Sequence, residues 1–122
     1  MASTTGIELA SDSCLLVGVR PGRAGAGEVL ALQEIAGAEW PAYDAARVEV
    51  LSSVRRGKGL PRRAVVVAWW LPDDAVDDES TRAAVQPIET AGFRIQSVLT
   101  PPQALARVAG LRPRQSSSDA VA

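Results

Sequence analysis

The chain has 122 residues, the usual size of one domain, and its 47% apolar and 22% charged residues exclude wholesale disorder. Its 13 basic and 14 acidic residues leave a net charge of −1, so no overall field draws it to nucleic acid or to an anionic membrane. With no histidine and a single cysteine, Cys14, it has no internal disulfide, and zinc sites and histidine-based catalytic triads are excluded.

No apolar run approaches the ~18 residues of a membrane span, and the N-terminus lacks the basic-then-apolar pattern of a secretory signal, so a cytoplasmic location is expected. Residues 5–10 and 13–20 predict two strands joined by the polar turn Ser11-Asp12. Cys14 falls within the second, where a small apolar filler is the expected role. The glycine-rich stretch 21–27 breaks the chain, and 29–35 predicts a third strand, completing an antiparallel meander.

From Pro41 the period changes. Tyr43, Ala46, Val50 and Val54 recur at helical spacing with Leu51 beside them, and Arg55 and Arg56 precede Gly57 as a helix end prefers, so 41–56 predicts a helix. Residues 63–71 form the most apolar run, β-branched and without alternation, which predicts a central strand buried on both faces. Trp69 and Trp70 are consecutive near the end of that run and should point to opposite faces. Core packing is the first expectation for both, and one left exposed would be a partner-binding candidate.

Asp77 or Asp78 is placed to cap a second helix ending near Ala91, with Ala84, Val85, Ile88 and Ala91 on one face, Pro87 as a kink and Gly92 as the stop. Residues 93–99 predict a fifth strand with Phe93, Ile95 and Leu99 on one face. Thr100 and Gln103 form a capping-box pattern around Pro101 and Pro102, opening a third helix over 101–109. The domain is therefore expected over 1–111, with 112–122 a disordered tail.

The element order, three strands, helix, strand, helix, strand, helix, resembles the ribonuclease H-like fold, an α/β architecture with a mixed five-stranded sheet between helices. Lobes of actin, sugar kinases, heat-shock 70 chaperones and the actin-like proteins of pilus assembly and cell division share it. Gly6-Ile7-Glu8-Leu9-Ala10-Ser11-Asp12-Ser13 is similar to the first phosphate loop of the actin-like ATPases, and 91–107 looks like the end of their first lobe. The pilus-assembly and type II secretion actin-like group is the closest in flavour.

That resemblance implies a truncated first lobe, with Ser11, Asp12 and Ser13 as a vestigial phosphate loop. Where the family has an aspartate that positions a magnesium-bound water, this chain has Glu8, and where it has a glycine that admits phosphate, this chain has Ala10. ATP and magnesium are accordingly expected to bind poorly or not at all. A non-catalytic scaffold follows, docking a protein partner or its own copies through Leu105, Val108 or an exposed Trp69 or Trp70, without membrane insertion and with nucleic acid not expected.

Two charged clusters offer rivals to that reading. Asp73 and Asp74 follow the central strand, and with Glu8 they would make the two-metal cluster of a ribonuclease H or Holliday-junction resolvase-like nuclease. Solvation and helix capping are the simpler role for this acidic stretch. Arg55, Arg56, Lys58, Arg62 and Arg63 would make a phosphate-binding patch, although a helix C-terminus draws the same charges.

Overall fold

The computed structural model describes residues 3–22, 27–69 and 79–108, the side chains of Ser80 and of 106–108 excepted. Its elements run β1 (Thr4–Leu9), β2 (Ser13–Pro21), β3 (Gly27–Ala36), a 3-10 turn (Gly37–Glu39), α1 (Asp44–Lys58), β4 (Arg63–Ala68), α2 (Glu79–Thr90), β5 (Arg94–Leu99) and α3 (Pro101–Val108). The five strands lie in the order β3-β2-β1-β4-β5. β1, β2 and β3 pair antiparallel as the meander predicts, while β4 and β5 join parallel to β1 and to each other.

Alternation along β1 sends Thr5, Ile7 and Leu9 to one face of the sheet and Thr4, Gly6 and Glu8 to the other. Cross-strand partners extend the first set to Cys14 and Leu16 on β2, Ile35 on β3 and Ala64, Val66 and Ala68 on β4, all of them buried. Leu51 of α1 and Val85 and Ile88 of α2 close over this face and complete the core. The second face is half-covered over Val65 and Val67, so the expectation of a strand buried equally on both faces is corrected for β4. The apolar run also ends sooner as a strand, at Ala68.

α1 departs from its predicted span at both ends. Pro41 and Tyr43 stay outside it, Tyr43 being exposed, because Trp40 is buried and the chain must turn from that anchor before helical bonding begins with Arg47 N–H to the Tyr43 carbonyl. Gly57 lies inside the helix, and the stop is Gly59, at φ 64°. Leu60 N–H donates to the Arg55 carbonyl and Gly59 N–H to that of Arg56, a Schellman motif whose following apolar residue, Leu60, is buried. A left-handed residue is needed one position beyond the last helical carbonyl, which Gly57 does not supply.

β5 carries a second correction. The register with β4 slips between Ala64 and Val65, so that Ile95 faces Ala64, Ser97 faces Val65 and Leu99 faces Val67. Gln96 is the extra residue of a bulge, and beyond it the faces exchange. Ile95 and Val98 pack on the core, while Leu99 shares the opposite face with Val67.

Cys14 has the apolar role expected of it. Burial pushes its thiol up to about 12, with the Arg47 guanidinium opposing that shift. An unfolded thiol ionises near ~8.5, so this site contributes stability that is complete below that pH and is lost as pH rises toward the folded value. The unfolding free energy of the wild type minus that of Cys14→Ala should therefore fall steadily in urea titrations from pH 9 upward, and a flat difference would count against a buried neutral thiol.

Candidate functional site

β1 and β4 run parallel at the centre of the sheet, and Glu8 and Val67 are direct partners on the face away from α1 and α2. At the carboxyl ends of these strands Trp69 N–H donates to the Leu9 carbonyl, which holds Trp69 in the turn immediately after β4. On the same face α3 follows β5 without a loop, because Thr100 ends the strand and caps the helix. The Gln103 Oε1 accepts from Thr100 N–H (3.0 Å), and Pro101 and Pro102 occupy first-turn positions.

These three segments enclose a groove of about 570 Å³ lined by Glu8, Val67, Trp69, Pro101, Pro102 and Leu105. Trp69 is 54% and Leu105 68% exposed. Among the described lining residues Glu8 carries the single charge, on an exposed side chain, within walls that are otherwise apolar or aromatic. Such a surface suits an apolar side chain with a cation next to it.

The groove brings together Glu8, Trp69 and Leu105 of the residues singled out in the sequence. Trp69 is solvent-facing, which corrects the expectation that it packs in the core: β4 ends at Ala68, so the tryptophan lies in the turn beyond the strand and not on its buried face. Ser11 and Asp12 form the turn between β1 and β2, and Ser13 opens β2, at the same end of the sheet, but the described lining does not include them. Val108 closes α3. Trp70, Asp73 and Asp74, with the predicted caps Asp77 and Asp78 and the tail 112–122, lie outside the described residues. Among the described residues no three His, Cys, Asp or Glu side chains converge as metal ligands.

The basic run sits at the opposite end of the sheet from the groove. Arg55, Arg56 and Lys58 occupy the last turn of α1, where positive charge meets the helix dipole, and Arg55 Nε donates to the Ala91 carbonyl (2.9 Å). Val67, Pro101 and Pro102 are lining residues that the sequence does not signal. The capping pattern marks the two prolines only as a helix start; they and Val67 come beside Glu8 through the parallel pairing of β1 with β4 and of β4 with β5.

A β3-β2-β1-β4-β5 sheet with β1, β4 and β5 parallel, two helices on one face and a third on the other, gives this chain the ribonuclease H-like fold. No protein-family model matches the chain, and no curated protein matches it in sequence. Among solved structures it is similar to Thermus thermophilus RuvC in complex with Holliday junction substrate, at TM-score 0.59 and 14% identity over 88% of this chain and 72% of that one. RuvC from the same organism gives 0.58 and 16% over 90% and 70%.

The ethanolamine utilization protein EutJ from Carboxydothermus hydrogenoformans gives 0.56 and 17%, covering 91% of this chain and 41% of EutJ. RuvC and EutJ thus stand at similar distances, and identities this low establish the fold alone. No helix among the described residues is long and apolar enough to cross a membrane.

Proposed function

We propose that the chain is a non-catalytic interaction module on a ribonuclease H-like lobe, holding an apolar segment of a protein partner in the groove beside Glu8. The supporting observation is the lining: Trp69, Leu105, Pro101, Pro102 and Val67 surround one carboxylate. An exposed tryptophan beside a concave apolar floor has the character of a binding hot spot. The partner segment presents an apolar side chain to the floor and a basic group to Glu8. A cytoplasmic scaffold in a pilus- or secretion-type assembly is the setting that the actin-like resemblance supports. Glu8 and Ala10, in place of the family's aspartate and glycine, argue against ATP and magnesium as its ligands.

A photo-crosslinking residue at Leu105 in the full chain identifies the partner. Trp69→Ala and Leu105→Glu are then expected to weaken the purified complex by about 2 kcal/mol or more, roughly thirtyfold, with unchanged melting. Calorimetry with magnesium ATP is expected to show no micromolar binding. Binding that is indifferent to both substitutions would reject the groove.

One observation favours a second reading, a metal-dependent nuclease. Glu8 is exposed near the carboxyl end of β1, and the chain that carries Asp73 and Asp74 leaves the neighbouring strand β4 at that same end. Cleavage of branched or RNA–DNA hybrid substrates, lost in Glu8→Gln, would place this reading first.

A further inference from the structure

The net charge of −1 is the sum of two ends of opposite sign. Glu8, Asp12, Glu39 and Asp44 gather at the carboxyl end of β1: on the strand, in the turn after it, in the 3-10 turn and in the first turn of α1. At the amino ends of β4 and β5 the charge is positive. Arg56 and Lys58 stand on the last turn of α1, Arg62 precedes β4, Arg63 opens it and Arg94 opens β5. Two hydrogen bonds draw these elements together, Arg94 N–H to the Arg62 carbonyl (2.7 Å) and Arg55 Nε to the Ala91 carbonyl (2.9 Å).

The helix dipole accounts for Arg56 and Lys58 and leaves the other three unexplained. Arg63 and Arg94 are direct partners in the parallel register, on the face away from α1 and α2. Neighbouring strands lie ~4.8 Å apart, and like charges set opposite one another destabilise a sheet. All five cations are exposed, and among the described residues none of the five is ion-paired. Of the carboxylates toward this end, that of Glu28 is engaged by Arg20, and Glu89 on the last turn of α2 bonds none of the five. An arginine pair left without compensation inside the chain is stabilised by an anion that bridges it.

We propose that this amino-end rim docks the phosphate backbone of a nucleic-acid duplex. Its cations are exposed and spread over three elements, so they meet successive phosphates rather than enclose one. Tyr43 and Trp69, exposed aromatics, stand at the other end of the sheet, and Phe93 beside Arg94 is buried, so among the described residues none here stacks on unpaired bases. Contacts of this kind position a backbone without reading its sequence. The rim is separate from the Glu8 groove and needs neither reading of it.

Fluorescence anisotropy of a labelled DNA duplex of mixed sequence, titrated with the full chain at about 50 mM salt, tests the proposal. Binding is expected, and it should weaken steeply as salt rises. Arg63→Ala/Arg94→Ala should lower the affinity about tenfold or more and flatten the salt slope by about 2. Relief of the repulsion should leave its melting unchanged or raised, so the loss of binding is not a loss of fold. Glu8→Gln and Leu105→Glu, at the far end, should bind like the wild type. No binding at this salt, or a double variant with unchanged affinity and slope, overturns the proposal. Poly-glutamate that displaces the duplex at equal charge concentration also overturns it, assigning the rim to an acidic protein. Should the double variant fail to fold, Lys58→Ala/Arg62→Ala, exposed and outside the strands, decides by the same change in slope.

Discussion

Leu51→Ala is expected to lower the unfolding free energy by about 2–5 kcal/mol, a large part of the ~5–15 kcal/mol typical of a domain. Leu51 is 0% exposed and is the buried residue of α1, whose other core-facing side chains, Val48, Val50 and Val54, are only partly covered. Truncation leaves a cavity between the helix and the sheet that the β-branched neighbours are too stiff to fill. Urea unfolding should show a lower midpoint at unchanged slope, while Leu105→Ala, at an exposed position, should stay within ~0.5 kcal/mol. A Leu51→Ala loss below ~1 kcal/mol, under what the removed methyl groups alone contribute, would mean that α1 does not dock through this side chain.

Gly92→Ala should cost about 2–4 kcal/mol, from backbone strain and one displaced hydrogen bond together. Gly92 sits at φ 108°, a conformation that side-chain-bearing residues rarely adopt, and an added Cβ would lie 2.8 Å from Arg55 Nε. The guanidinium must then move and release the Ala91 carbonyl that ties the end of α1 to the turn before β5. A double-mutant cycle separates the two contributions. In an Arg55→Ala background the contact is gone and only the strain remains, so the cost of Gly92→Ala should shrink. Gly37→Ala supplies a control, since at φ 59° its Cβ meets nothing within 4 Å and strain acts alone. Equal costs at Gly92 with and without Arg55 would assign the whole effect to the backbone.

Elements set by short-range chemistry are legible in the sequence. Strand-forming residues on either side of the polar turn Ser11-Asp12 mark β1 and β2, the β-branched run marks β4, and Thr100 with Gln103 announces the start of α3, because each depends on residues a few positions apart. Their order is enough to reach the ribonuclease H-like sheet. The end of α1 is ambiguous at that level because Gly57 and Gly59 both offer a stop, and only the burial of Leu60 selects the second. The faces of β5 are misread from alternation alone because a bulge leaves little trace in composition, and one extra residue at Gln96 reverses everything after it.

The candidate site divides along the same line. By itself the sequence determined that Glu8 stands near the end of the first strand, that two tryptophans stand toward the end of the apolar run that makes the fourth, and that α3 opens on two prolines. Only the tertiary structure decided that these meet in one groove, since parallel pairing joins β1 with β4, segments some sixty residues apart as Glu8 and Val67 show, and β4 with β5, which leads into α3. It decided likewise that Trp69 faces solvent and that β3 stands at the edge of the sheet, with Val29 and Leu32 exposed among the described residues. Local pattern specifies which face of an element is apolar, whereas what covers that face depends on long-range pairing and register, which no short stretch of the chain encodes.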